Sequence, residues 1–209
     1  MHKGIFITFE GPDGSGKTTQ VNNLAAWLKN EGREVICTRE PGGTLAAEAI
    51  RQVVLDPKLP IKAEAETLLY LAARAEHVEK VIAPALTEGK VVLCDRFSDS
   101  TIVYQGYTRG MEIEALEFIN TFATKGLTPD LTFLLDGEPK QLLGRRQNRG
   151  VEDRFELEGL AFQEQVRQGF LVLAKRYPER IKLVNSLAQP EIITEQLQRE
   201  LKKFIAQKG

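Results

Sequence analysis

Gly11, Gly16, Lys17 and Thr18 stand at the spacing G-x-x-x-x-G-K-S/T, inside the run Gly11-Pro12-Asp13-Gly14-Ser15-Gly16-Lys17-Thr18-Thr19. Such a loop is suited to phosphate. Glycines at 11, 14 and 16 let the backbone turn tightly and aim successive N–H groups at one anion. A helix starting there adds the positive end of its dipole. The lysine would reach the β- and γ-phosphates of a nucleoside triphosphate, and the Thr18 hydroxyl would ligand Mg²⁺. The loop alone leaves the reaction open, because motors, transporters, GTPases, recombinases and small kinases share it.

A second set of cations suits a second phosphate. Arg39 and Arg96 each follow a short apolar run, and Arg51 lies one helix beyond Arg39. A guanidinium pairs with two oxygens of one phosphate and keeps its charge. Four more arginines, at 145, 146, 149 and 154, crowd around Gly150. As a lid, that stretch would close on the nucleotide and bring arginine to the transferring phosphoryl group, whose charge spreads over its equatorial oxygens. Closure would also exclude water as a competing acceptor. Tyr70 and Arg74 share a helix face at i, i+4, a pair able to sandwich and hydrogen-bond a planar base. Thr101, Tyr104 and Gln105 present a polar face, and the glutamine can bond both a carbonyl and an N–H of a pyrimidine. His2 and His77 are expected at the surface. The sequence offers no nucleophile–histidine pair and no metal-ligand cluster.

These residues need elements to hold them. Ile5, Ile7 and Phe9 alternate with Phe6 and Thr8 as in a buried strand, and Val21, Leu24, Ala25 and Leu28 recur at helical spacing after the loop. Further strands are expected at 33–38, 90–94, 131–135 and 181–184. A long helix over about 64–86 would set Leu68, Leu71, Ala75, Val78 and Ile82 on one face. Helical patterns also cover 99–107, 112–122, 139–146, 158–177 and 190–205, and Thr44 is placed to cap the helix after Pro41-Gly42-Gly43. Five strands alternating with helices predict an α/β fold, a parallel sheet with helices on both faces. Ligands bind beyond the carboxyl ends of such strands. There the sequence puts the glycine-rich loop, Arg39-Glu40, Asp95-Arg96 and Asp136.

The 209 residues suffice for one sizeable domain, and 28 basic against 29 acidic side chains give no overall charge to attract nucleic acid. No apolar run approaches membrane-spanning length. Cys37 and Cys94 fall in apolar runs and are expected as small buried residues. With free thiols and no export signal, a cytoplasmic location is expected.

On these residues the chain resembles the bacterial thymidylate kinase family over nearly its whole length. The matching stretches are FEGPDGSGKTTQ (9–20), TREPGGT (38–44) with Arg51, AARAEHV (72–78), DRFSDSTIVYQGYTRG (95–110), PDLTFLLD (129–136) and DRFE (153–156). The resemblance implies a single domain over 1–209 with the P-loop nucleoside monophosphate kinase fold and a short lid at about 144–156. It implies transfer of the γ-phosphate of ATP to thymidine monophosphate with Mg²⁺, no nucleic-acid or membrane partner, and a homodimer packed through long helices. By the motifs, Arg39, Arg51 and Arg96 would hold the acceptor phosphate and Asp13 the deoxyribose 3′-hydroxyl. Arg74, Thr101 and Gln105 would read the thymine edge, while Tyr104 would crowd the 2′ position. Glu10 and Asp95 would flank the metal and phosphate region, with Thr18 and Asp95 nearest the ion. The family divides on whether the catalytic arginine sits in the phosphate loop or the lid. Here the loop has none, so Arg149 is the first choice, with Arg145 or Arg146 next, and Lys17, Asp13 and Arg96 complete the catalytic set. One departure is Tyr70, where the family usually has a phenylalanine stacked on the base. A kinase for another acceptor and a nucleotide-driven switch are the rival readings. The arginines for a second phosphate argue against the switch.

Overall fold

The computed structural model of the chain describes residues 4–146 and 158–208. Its centre is a sheet of five strands in the order β2-β3-β1-β4-β5, every neighbouring pair parallel. The strands are β1 (Ile5–Glu10), β2 (Val35–Arg39), β3 (Val91–Asp95), β4 (Leu131–Asp136) and β5 (Ile181–Asn185). Central strands of a parallel sheet are covered on both faces, so they read as continuous apolar runs. Accordingly Phe6, Ile7, Thr8 and Phe9 of β1 are all fully buried.

Alternation along each strand sends neighbouring side chains to opposite helical layers. Ile7, Phe9, Leu93 and Phe133 pack with Val21, Leu24 and Leu28 of α1 (Lys17–Asn30) and with Ile193, Leu197 and Leu201 of α9 (Pro190–Lys208). On the other face, Phe6, Val92 and Cys94 meet Val78, Ile82, Leu86 and Phe97. There too Leu134 packs with Phe162, Val166 and Phe170 of α8 (Gly159–Arg176). The expected helices on both faces are therefore present, as is the Thr44 cap, whose hydroxyl accepts from the Ala47 amide at 3.1 Å at the start of α2 (Leu45–Leu55).

Three expectations need correction. The run expected as one helix is α3 (Ala63–His77), a π-helical turn at Val78–Ile82 and then α4 (Ala83–Thr87). Leu71, Val78 and Ile82 are buried, but Leu68 is 63% exposed and does not share their face. Cys37 is exposed rather than buried, because β2 is an edge strand that pairs only with β3. His77 is fully buried rather than at the surface, held from both sides by hydrogen bonds described below.

The short helix α5 (Ser98–Thr101) runs into a second π-helical segment, Ile102–Tyr107, before α6 (Ile113–Thr124), and α7 (Pro139–Arg146) follows β4. Among the described residues, no helix is long and apolar enough to cross a membrane. Strand register fixes what comes next. Phe9, Asp95 and Arg39 lie level across β1, β3 and β2, so the residues that follow them emerge along one edge of the sheet.

Candidate active site

The glycine-rich loop leaves β1 at that edge. Gly11 has φ 136° and a Cβ there would sit 2.4 Å from the Leu135 carbonyl oxygen, so only glycine fits. Gly16, in the left-handed region at φ 88°, turns the chain into α1 at Lys17. The Lys17 ammonium is buried and donates to the carbonyls of Gly11 at 3.1 Å and Pro12 at 3.0 Å. Burial, reinforced by the nearby Arg96 charge, lowers its pKa to about 8 against the pull of Asp95, Asp13 and Glu10. The next residue, Thr18, donates its hydroxyl to Asp95 Oδ2 at 2.7 Å, joining the loop to the end of β3. The Ser15 hydroxyl is buried with no hydrogen-bond partner among the described residues.

Arg96 follows β3 with φ 70°, a left-handed conformation that costs a non-glycine residue roughly 1–2 kcal/mol. Its surroundings impose that turn. The Arg96 amide donates to Phe9 O at 2.9 Å, and the next amide, Phe97, donates to Glu10 Oε1 at 2.8 Å. Glu10 also accepts from the Ser100 hydroxyl at 2.6 Å, and Ser100 Oγ accepts from Arg96 at 3.2 Å. The guanidinium then lies over the Tyr104 ring, 5.1 Å from its centroid, and donates to Asp13 at 2.5 Å. Glu10 is 1% exposed. Burial first, and then the Asp99 carboxylate, raise its pKa to about 7, opposed by Arg96 and by the hydrogen bonds from Ser100 and Phe97. Asp99 is itself gripped through both oxygens by Arg180, at 2.7 and 2.9 Å.

A cavity of about 260 Å³ opens beside this turn. The loop lines it with Asp13, Gly14, Gly16, Lys17 and Thr18, and the strand ends add Arg39, Asp95 and Arg96. Arg51 of α2 joins them while donating to the Pro41 carbonyl at 3.0 Å; Arg39 is half exposed and pairs with Glu48 at 2.8 Å. Tyr70 and Arg74 of α3, with Thr101, Tyr104 and Gln105, line it too. Tyr104 and Gln105 ride on the π-helical segment, an irregularity common at functional sites.

Arg74 is 2% exposed and rigidly held. It donates to Glu40 at 2.7 Å, Thr101 at 2.8 Å, Asn120 at 2.5 Å and the Phe97 carbonyl at 3.0 Å. The other Glu40 oxygen accepts from His77 Nδ1 at 3.1 Å, and His77 Nε2 lies 2.6 Å from the Thr38 hydroxyl. A Cβ on Gly43 would come within 2.5 Å of the His77 ring, so the Pro41-Gly42-Gly43 turn closes over it.

Of the residues singled out from the sequence, Asp13, Gly14, Gly16, Lys17 and Thr18 of the loop thus surround one space with Arg39, Arg51, Tyr70, Arg74, Asp95, Arg96, Thr101, Tyr104 and Gln105. Gly11, Pro12, Ser15 and Glu10 are buried outside its lining, and Thr19 is exposed on α1 away from it. Arg149 and Arg154 lie outside the described residues, as do the side chains of Arg145 and Arg146. Glu40, expected at this edge beside Arg39, and the adjoining Pro41 also line the cavity, as do Ser100 and Leu55, which sequence reasoning passed over. Glu40 carried a signal in its place between Arg39 and the Pro-Gly-Gly turn.

Known proteins resemble the chain in sequence and in fold. The family model for thymidylate kinase matches residues 9–197. The thymidylate kinase of Gloeobacter violaceus is 47% identical over 203 residues, 96% of each chain. That of Deinococcus radiodurans is 46% identical over 209 residues, the whole of both chains. A crystal structure of thymidylate kinase from Ehrlichia chaffeensis superposes with a TM-score of 0.79 at 33% identity, covering 95% of this chain and 98% of that one. By matched length and identity alike, the chain belongs to the thymidylate kinase family.

Proposed function

We infer that the chain transfers the γ-phosphoryl group of ATP to thymidine monophosphate, giving thymidine diphosphate and ADP. The observation that carries this reading is the shared cavity, where the phosphate-loop lysine and the three arginines 39, 51 and 96 line the same space as Tyr70, Arg74 and Gln105. A triphosphate would rest on the loop amides with Lys17 on its β- and γ-oxygens. The monophosphate would be held by the arginines, an oxygen of its phosphate directed at the γ-phosphorus. As that bond forms, the bond to the β,γ-bridging oxygen breaks and ADP leaves. Lys17 and Arg96 would meet the charge on the equatorial oxygens. Asp13 would take the sugar 3′-hydroxyl, Tyr104 would crowd the 2′ position and Tyr70 would stack on the base.

The Thr18 hydroxyl and Asp95 carboxylate are hard oxygen donors that suit Mg²⁺. Among the described residues no three His, Cys, Asp or Glu side chains are grouped to hold a metal, which fits an ion that keeps water and substrate phosphate as its remaining ligands. When bound, Mg²⁺ would neutralise charge between the β- and γ-phosphates. A coupled assay tests the reading. ADP production from Mg-ATP is expected to depend strictly on added thymidine monophosphate. Hydrolysis indifferent to every nucleotide acceptor would instead make the protein an ATPase.

The homodimer belongs to the same reading. Leu45 (93% exposed), Leu68, Phe118 (74%) and Phe122 (83%) stand out from α2, α3 and α6, of which α3 packs against both others. Phe118 and Phe122 are one helical turn apart on one stripe, an apolar surface that a second copy would cover. Wild-type protein is expected to sediment at twice its chain mass. Phe118→Glu with Phe122→Glu should halve that mass, and a wild type already at chain mass would remove the dimer.

A further inference from the structure

Gln105 and Glu66 meet in the core behind the cavity. The Gln105 Nε2 group donates to Glu66 Oε1 at 2.9 Å, and the two residues are 2% and 1% exposed. Glu66 sits on α3, one turn before Tyr70, and does not line the cavity itself. The end of Gln105 facing Glu66 is the NH₂ group, which donates to a carboxylate oxygen. That leaves the carbonyl oxygen as the group Gln105 offers to the cavity it lines. Arg74, which lines the same cavity, is a guanidinium and only donates. The cavity thus carries a fixed donor and a fixed acceptor.

The complementary edge has a carbonyl next to an N–H, as in the 4-carbonyl and N3–H of thymine or uracil. Cytosine carries the reverse, an amino group next to a bare ring nitrogen, and would set donor against donor and lone pair against lone pair. We propose that Glu66 is a specificity-determining positioning residue, which locks the Gln105 amide with its oxygen toward the base and so selects imide-bearing pyrimidines over cytosine. This rests on the thymidine monophosphate reading and names how its base would be told apart. A glutamine free to flip could donate to the bare N3 of cytosine and leave Arg74 alone to oppose its amino group, so the discrimination at N3 resides in the pair. Buried sites that leave a polar group of the wrong ligand unpaired reject it far more strongly than sites that merely fit its shape.

The test compares kcat/KM for thymidine monophosphate and deoxycytidine monophosphate at saturating Mg-ATP. In Glu66→Gln, the new amide can turn its NH₂ toward Gln105 and stabilise the flipped amide. The preference for thymidine monophosphate should fall by about tenfold or more, mostly through a higher KM for that substrate, with the KM for ATP unchanged. Combining Glu66→Gln with Gln105→Glu exchanges donor and acceptor across the same contact and returns an accepting oxygen to the cavity. The preference should then recover, which a general loosening of the helices would not produce. An unchanged preference in Glu66→Gln overturns the proposal, and so does an exchanged pair that fails to recover it. Should Glu66→Gln not fold, the exchanged pair decides alone by the same criterion. A wild type inactive on both monophosphates would sink the transfer reading, and this inference with it. A wild type active on thymidine monophosphate beside an unchanged variant sinks only this one.

Discussion

Arg96→Ala is expected to lower kcat about 10³-fold, the scale seen when one charge-stabilising donor is removed from a transferring group. The guanidinium is already aimed in the free protein, flanked by Ser100 and Asp13 and stacked on Tyr104, so little reorganisation remains when substrates arrive. Bound acceptor phosphate would displace Asp13 from it, freeing that carboxylate for the sugar. Arg96→Lys should recover only part of the loss, since an ammonium cannot span two oxygens of one phosphate. Arg96→Gly is the informative control. It removes the strain of φ 70°, so thermal stability should hold or rise while activity stays as low as in the alanine variant. Steady-state kinetics beside a melting curve distinguishes these effects. A kcat within tenfold of wild type in Arg96→Ala would take this residue out of the phosphoryl path.

Lys17→Ala should reduce kcat/KM for ATP by a similar factor of about 10³, acting on the donor instead of the acceptor. Its pH dependence gives a second, independent reading. Burial disfavours the charged ammonium, so the proton leaves at about pH 8 rather than near 10.5. Below that value Lys17 is charged and able to grip phosphate; above it the neutral amine cannot. Wild-type kcat/KM for ATP, which reports the free enzyme, is therefore expected to fall as pH rises through about 8. In kcat the same limb should move to higher pH, because bound phosphate favours the protonated form. A kcat/KM profile that stays flat well past pH 8 would mean that Lys17 keeps its proton in the free protein.

Much of this site was legible because its parts obey local rules. The phosphate loop is contiguous, Thr44 caps its helix as its residue type demands, and the alternating strands end where charged residues begin. Register then does what the sequence cannot state outright, setting Phe9, Asp95 and Arg39 level. Other features escaped for physical reasons. A lone histidine on a helix looks solvated, and only the turn at Gly43, far off in the chain, shows His77 as the fully buried partner of Glu40. Cys37 reads as core from its apolar neighbours, yet an edge strand leaves it exposed. The π-helical segment under Tyr104 and Gln105 shifts helical phase by one residue, which a periodicity count averages away. Glu66 drew no reading from the sequence, because nothing local marks an acid in the first turn of α3 as buried against Gln105.

The two jobs of the cavity are mounted on different supports. Arg39 and Arg96 stand at the ends of level, hydrogen-bonded strands and Lys17 where the loop from β1 enters α1, whereas Tyr70, Arg74, Tyr104 and Gln105 hang from helices laid against the sheet. A sheet fixed by its backbone ladder deforms less readily than helices joined to it through side-chain contacts. Gentle warming or mild denaturant should therefore make the enzyme careless before it makes it slow, admitting wrong bases while transfer continues. For the same reason, a lineage seeking a new acceptor could redecorate the helical wall and inherit the transfer chemistry intact.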